Sequence, residues 1–505
     1  MSSQTDVPAP SLFTRLLARP AYAVLALGAL QCVGWTLSCA LTHHAPPLDM
    51  VESYLWGHEW VVGTHKHPNL PGWLLEISRQ MTGAIGWPGY LVSELLVAAS
   101  YGFVFLLGRD MLGAPRALAG TLLLAALFYN TFPSIQLNHN IAQMPFWAGI
   151  AWLVWHLRTR PSALGWVLLG VIGAGSLYAK LSSALLIGVA GLWILYDPLL
   201  RRQLATPWPW LGLASFAVLL WPLTLWLIQF QFAPLNYAVE QAEASDGPLQ
   251  FLGSQIGAVA GVVVLAAYAG FLGTRHRPGI GPGPVASGPA PPPVLRYLAV
   301  FTLAPLLLTI GWAWFSGTGL RGNWGTPMLG LSGLWIVAAR SPRFSPVVLG
   351  RLARAVLVLL IALPVAHGLD TLFEARLGGR IKRQNWPQAE MKQRFDQLWQ
   401  ARTGGKPLRV IAGERWLAGL VALGPGEMPS VLTNGDYAIT PWVTPERVAK
   451  EGALVVWITH EPPDPVPGDV APLVGSRPSG VERFTWPLFP GASPLLIGYA
   501  IVPPA

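Results

Sequence analysis

"AYAVLALGALQCVGWTLSCALTHHAPPLDMVESYLWGHEW", Ala21 to Trp60, runs from an uncharged apolar stretch straight into a segment dense in histidines and carboxylates. Whether the apolar part is a cleaved leader or a retained span decides how the rest of the chain is read. Arg15 and Arg19 precede it, as in a signal peptide. Yet Ala21–Leu41 is long enough to cross a bilayer and many similar runs follow, so it reads as the first of a series of transmembrane helices. The composition agrees: of 505 residues, 52% are apolar, only 11% are charged and 24 are tryptophan, too apolar for one soluble globule. The net charge is +9, but the arginines are scattered in pairs between apolar runs. That pattern reports membrane topology and argues against a nucleic-acid partner. Cys32 and Cys39 are the only cysteines; they stand about 10 Å apart along one helix, beyond disulfide reach.

Further apolar runs lie near Trp87–Leu107, Ala117–Phe132, Ala142–Leu157, Leu164–Ala179, Ser183–Tyr196, Pro209–Ile228, Phe251–Gly273, Tyr297–Phe315, Trp324–Ala339 and Ala355–Phe373. Several are short, which leaves room for tilted pairs or re-entrant segments, so a mainly α, polytopic bundle of about 11–13 spans is expected. Arg15/Arg19, Arg109/Arg116, Arg158/Arg160, Arg201/Arg202, Arg275/Arg277/Arg296 and Arg340/Arg343/Arg351/Arg354 fall on one side of such a bundle, and the positive-inside rule makes that side cytoplasmic. The N-terminus is expected there too. The opposite loops carry only Lys66, Arg79, Lys180 and Arg321 near the membrane. Each of these outer cations asks for a reason.

"RPGIGPGPVASGPAPPP", Arg277 to Pro293, is too rich in Pro and Gly to bury a core and reads as a flexible cytoplasmic loop. From about Glu374 the composition changes: "QAEMKQRFDQLWQA" reads as an amphipathic helix, and "LRVIAG", "ALVVWIT" and "LLIGYAIV" as short buried strands. The expected organisation is a membrane domain over 1–373 and a small extracytoplasmic α/β domain over 374–505.

Asp49 and Glu52 follow Pro46-Pro47 with a spacing of three, which puts both carboxylates on one face of a helix. Neighbouring carboxylates push their pKa values apart, leaving one a base and the other an acid or ligand; the alternative is a solvated interfacial helix. His43, His44, His58, His65 and His67, with Glu52 and Glu59, offer nitrogen and oxygen ligands to a divalent metal, with Glu52, His58 and Glu59 as candidates, or are ordinary loop residues. Lys66 and His67 are cations at the depth of a lipid phosphate, or Lys66 snorkels to headgroups. Lys180, between two apolar runs, must sit at the outer surface or be paired. Arg321, in "SGTGLRGNWGTP", can fork onto two phosphate oxygens or anchor the membrane edge. In "LNHNIAQMPFW", Asn138, His139 and Asn140 can bind sugar hydroxyls or cap the next helix. Tyr237, Glu240 and Asp246 gather on another outer loop as acceptor or sugar contacts, or as solvated loop residues.

The order of these elements resembles bacterial membrane glycosyltransferases of family 39: Asp49 after the first span, "HKHPNLPGW", "LNHNIAQMPFW", "YAKLSSALL" and a final outer α/β domain. Their superfamily includes protein mannosyltransferases and the lipid A aminoarabinose transferase. The resemblance implies a GT-C fold, a polyprenyl-phosphate-linked sugar donor and transfer on the outer side of the plasma membrane, here the inner membrane of a bacterial cell. It matches the family's catalytic acidic position to Asp49 and its lysine at the end of a middle span to Lys180. The family's Lys-Pro-Pro-Leu element stands here as His67-Pro68-Asn69-Leu70, with Lys66 one place earlier.

On this reading Asp49 takes the proton of an acceptor hydroxyl on a lipid, glycan or protein, and Glu52 orients the acceptor or a cation. Lys66, His67, Lys180 and Arg321 neutralise the donor phosphate, and the anomeric centre inverts. A flippase, a transporter or a non-catalytic acceptor-binding protein are the competing functions. The first two place ionisable groups in mid-span, where this chain has almost none.

Overall fold

In the computed structural model, residues 12–243, 245–272, 289–340, 346–378, 381–460 and 465–505 are described. Among them six helices are long and apolar enough to cross a membrane: Pro20–Thr42, Trp87–Leu112, Trp208–Gln229, Pro248–Ala269, Pro292–Ser316 and Val347–Phe373. Segment 277–288 of the Pro/Gly-rich loop, with Arg275, Arg277 and Arg343, lies outside the described residues.

Of the other five apolar runs, one lies in the 21-residue helix His139–Thr159 and four form shorter or broken helices. His139–Thr159 carries Pro145, and Ala163–Ala179 and Ala184–Tyr196 meet at Lys180. The run expected as one span over Ala117–Phe132 is a helix only to Leu123, then three 3-10 turns, Leu124–Ala126, Phe128–Asn130 and Phe132–Ile135. Trp324–Ala339 likewise holds one nine-residue helix, Ser332–Arg340. Irregular backbone survives at this depth only where protein covers its polar groups. Gln31 Nε2 donates to the Asn130 carbonyl (2.8 Å) and to Glu94 Oε2 (2.8 Å), and the Ser134 hydroxyl donates to Glu94 Oε1 (2.8 Å). A buried polar knot therefore holds the 3-10 segment, which delivers the Gln136 side chain to Asp49.

Lipid is as apolar as the helices, so close backbone approach, not hydrophobicity, decides which faces meet. Ala163–Ala179 packs on Trp208–Gln229 through Gly170 and Gly212, where a Cβ on the first would overlap the carbonyl of the second. The outer face of Trp208–Gln229 is left to lipid, with Val218, Trp221 and Ile228 exposed.

The C-terminal region forms one mixed sheet of β1 (Val410–Gly413), β2 (Ser430–Thr433), β3 (Ala453–Thr459), β4 (Ser479–Phe484) and β5 (Leu495–Val502), in the order β2-β1-β3-β5-β4. β2, β1 and β3 are parallel; β5 runs antiparallel between β3 and β4. Strand alternation sorts the side chains. Ile411, Leu454, Val456 and Ile497 face one core, Val410, Ala412, Val455 and Trp457 the other. The first core also contains Met50, Val51 and Leu55 of the helix Leu48–His58. The sheet region and the acid-bearing helix thus share one apolar interior.

Candidate active site

Pro46-Pro47 start the helix Leu48–His58, whose first turn carries Asp49. It lies against Leu70–Thr82 through two glycines: a Cβ on Gly57 would overlap the Gly72 carbonyl. Between the helices the chain makes a tight hairpin, with Thr64 N–H donating to the His67 carbonyl (2.8 Å) and Asn69 N–H to the Val62 carbonyl (3.1 Å). The buried Asn69 amide ties the hairpin down by donating to the Trp56 and Val61 carbonyls (2.9 and 3.0 Å). Lys66 and His67 sit on this hairpin and so point where the helix Leu48–His58 presents its carboxylates.

A cavity of about 520 Å³ opens there. Asp49, Glu52, Lys66, His67, Asn138, Asn140, Lys180, Tyr237 and Arg321 all line it. Five segments that are distant in sequence contribute them. Part of its wall is apolar, including Leu181, Leu185, Leu235, Ala238 and Met328.

The charges are not equivalent. Lys66 Nζ lies 2.5 Å from Glu52 Oε1, and Arg415 Nη1 lies 3.2 Å from the same oxygen. Glu52 is therefore a strut between two cations, and Lys66 is already neutralised. Burial lowers the Lys66 pKa and Glu52 opposes that shift. His67, expected as a cation, is neutral: desolvation first, then His139, Lys180 and Lys66, hold its pKa well below the usual imidazole value. Its ring lies with its centroid 4.2 Å from that of His139, tilted by 40°, and the His139 Nε2 meets the Pro68 carbonyl (3.0 Å).

Lys180 caps the end of Ala163–Ala179. Its Nζ donates to Asn140 Oδ1 (2.5 Å) and stands 5.7 Å from the Trp324 ring centroid. Neither partner cancels its charge. Desolvation pulls its pKa down to about 7, Asp49 opposes and Arg321 adds to the fall. Arg321 touches Ser245 Oγ (3.3 Å) and otherwise keeps its fork for the cavity. Desolvation, then the Glu52 charge, raises the Asp49 pKa, while Lys66, Arg415 and the Gln136 side chain restrain it. Two carboxylates thus stand among four cations, Lys66, Arg415, Lys180 and Arg321, and the surplus positive charge lies with Lys180 and Arg321.

Some expected residues fall elsewhere. Glu240 is exposed and does not line the cavity. Ala233–Glu243 is a helix whose inward face carries Pro234, Tyr237, Ala238 and Gln241 at helical spacing, and Glu240 is on the other side. Asn138 does line the cavity, but its Oδ1 accepts from Asn140 N (2.9 Å) and Ile141 N (3.1 Å) as the N-cap of His139–Thr159. Glu52, His58 and Glu59 do not converge on a metal position: His58 turns to Glu76 (3.9 Å) and Glu59 toward Ser430. Arg79 is taken up by Glu76 through two 2.8 Å bonds. Arg415, Gln136, Trp324 and Gln241 were not legible as site residues. Arg415 lies more than 360 positions from Glu52, and no local pattern reports so long a contact.

A helical membrane bundle with a carboxylate and uncancelled cations at one end, roofed by a small sheet domain, defines the GT-C class of membrane glycosyltransferases. The dolichyl-phosphate-mannose-protein mannosyltransferase family model matches residues 66–226. A lipopolysaccharide core galacturonosyltransferase, RgtA of Rhizobium johnstonii, is 26% identical over 432 residues, covering 82% of each chain. Among solved structures, ArnT of Cupriavidus metallidurans bound to undecaprenyl phosphate superposes with a TM-score of 0.62 at 15% identity, covering 94% of this chain and 97% of that one. The same protein in its apo state gives 0.57 at 13% identity over the same shares. The chain is thus similar to polyprenyl-phosphate-dependent membrane glycosyltransferases and shares the fold of ArnT.

Proposed function

We propose that this glycosyltransferase moves a hexose or pentose from a polyprenyl-phosphate carrier to a hydroxyl of a lipid, glycan or protein, with Asp49 as the base. The reaction runs at the extracytoplasmic face of a bacterial inner membrane, with the N-terminus in the cytoplasm and the region from 374 outside. The observation that carries this reading is the single cavity in which Asp49 faces Lys180 and Arg321 beside an apolar wall. It offers a proton acceptor, an anion site and a place for a lipid stem within one small volume.

Asp49 takes the proton from the acceptor hydroxyl as its oxygen attacks the anomeric carbon. The bond from that carbon to the phosphate oxygen breaks on the opposite face, so the anomeric centre inverts. The leaving polyprenyl phosphate gains a negative charge, and Lys180 and Arg321 meet it where water is scarce. A cation already paired in the resting site, such as Lys66, gives less to the transition state than one that is not. Lys66, Glu52 and Arg415 therefore set the shape of the site, neutral His67 contributes a hydrogen bond, and Tyr237 and Asn140 border the sugar and acceptor.

Purified protein in proteoliposomes, given a polyprenyl-phosphate sugar and envelope glycolipid, should form a covalent product whose mass rises by one glycosyl unit. Comparing envelope glycans by mass in cells with and without the gene then identifies sugar and acceptor. Binding of the acceptor without any mass change, across a panel of hexosyl and pentosyl donors, would instead mark a non-catalytic acceptor-binding protein.

A further inference from the structure

A second cluster lies outside the cavity, where the first and last spans meet at their outer ends. Cys39 and His43 are four residues apart and share one face at the end of Pro20–Thr42. His367 faces them from the helix Pro346–Gly378. The helices come close for a local reason. Pro364 cannot donate to the Leu360 carbonyl, and Gly34 packs there, leaving only 3.1 Å between that oxygen and any added Cβ. Ser38 Oγ then donates to the Pro364 carbonyl (2.6 Å). One turn further out His43 Nε2 stands 3.0 Å from His367 Nε2. The two nitrogens and the Cys39 sulfur all lie within 4.8 Å of one another.

We propose that Cys39, His43 and His367 form a zinc site that staples the first span to the last. Tetrahedral zinc with bonds of about 2.0–2.1 Å places two ligand nitrogens roughly 3.3 Å apart, close to the separation found. The other nitrogen of His43, Nδ1, is 2.9 Å from the hydroxyl of buried Tyr90. That is the outer-shell contact that fixes which ring nitrogen faces a metal. Thiolate and imidazole together select zinc over magnesium or calcium. Binding releases the Cys39 thiol proton to solvent, and a water completes the fourth position.

The site sits at a junction. His44 and Ala45 N–H groups both donate to the Gln384 carbonyl (2.7 and 3.1 Å), just before the helix that carries Asp49. A staple there holds the acid helix and the start of the outer domain in one frame, whatever sugar the cavity handles.

The test uses the full-length protein in detergent, stripped with a chelator and titrated with zinc or cobalt. One zinc ion per chain should rebind, the Tm should rise with free zinc, and cobalt should give a thiolate charge-transfer band. Cys39→Ser should lose the band and His367→Ala the bound equivalent, whereas Cys32→Ser should keep both. The band separates this site from the imidazoles of His67 and His139, which offer no sulfur. Stripped wild-type protein that rebinds no zinc, or that shows the same cobalt spectrum as Cys39→Ser, overturns the proposal even if a variant misfolds.

Discussion

The two ends of the helical bundle both gather charge, but they use it differently. At the end away from the cavity, Asp110 Oδ2 meets His156 Nδ1 at 2.7 Å and accepts from Trp152 Nε1 at 3.3 Å, with Arg109 and Arg160 each 3.8 Å away. Arg158 pairs with Asp197 at 2.7 Å, and Asp197 also caps Leu199 and Leu200. Each of these carboxylates is matched by cations and helix donors. At the cavity end, Glu52, Lys66 and Arg415 form a similar closed group, but Asp49, Lys180 and Arg321 are left facing an open volume. Matched charge holds helices together. Unmatched charge, maintained against its desolvation cost, is what a reaction with a developing anion can use.

The largest expected effect comes from the carboxylate on the open side. Asp49→Asn keeps size and hydrogen bonding but removes the base, so kcat should fall by about 10²–10⁴-fold with Tm unchanged. Turnover at the wild-type rate in folded Asp49→Asn protein would place the base elsewhere. Lys180→Met should come next, at about 10²–10³-fold in kcat/KM, because it removes charge from the leaving phosphate. The pH profile sharpens this. Lys180 is charged below its pKa of about 7, so kcat/KM of the free enzyme should decline as pH rises through that value. A bound phosphate raises the Lys180 pKa, so the alkaline limb of kcat should lie higher. An alkaline limb of kcat/KM that stays in place in Lys180→Met would assign it to another group.

The contrast between the ends also explains what was legible beforehand. Ala453–Thr459 and Leu495–Val502 form strands over the same residues expected for them, because continuous apolar runs of that length are a local signal. β4 was not expected: it alternates exposed and half-buried residues at the sheet edge, and its sequence looks like loop. The break after Leu123 was hidden because the Gln31–Glu94–Ser134 knot that supports it joins three distant segments. In the cavity, Asp49, Lys66, Lys180 and Arg321 stood out as ionisable groups in a chain with few. Their inequality did not: the 2.5 Å Glu52–Lys66 contact and the arrival of Arg415 are tertiary facts.

Arg321→Lys tests the open side more gently. The charge survives and the planar fork is lost, so donor affinity should weaken about tenfold, the worth of one charge-assisted hydrogen bond. The readout is binding of polyprenyl phosphate by the full-length protein. Unchanged affinity would make Arg321 a membrane-edge anchor.

The smallest effect on catalysis belongs to the far end. Asp110→Ala deprives His156 and Trp152 of their acceptor and leaves Arg109 and Arg160 near each other without a carboxylate. Stability should fall by about 0.5–1.5 kcal/mol, the net worth of a hydrogen bond to half-buried partners. The helices Trp87–Leu112 and His139–Thr159 that Asp110 joins also run to the cavity end of the bundle, where His139 and Asn140 of the second line the cavity. Their cavity ends are held by separate contacts: Asn138 caps one, and Gly89 packs against Met50 and Leu75 on the other. Turnover per folded molecule should therefore match the wild type while Tm drops. A variant with normal Tm and impaired kcat would couple the two ends and break the division of labour between matched and unmatched charge.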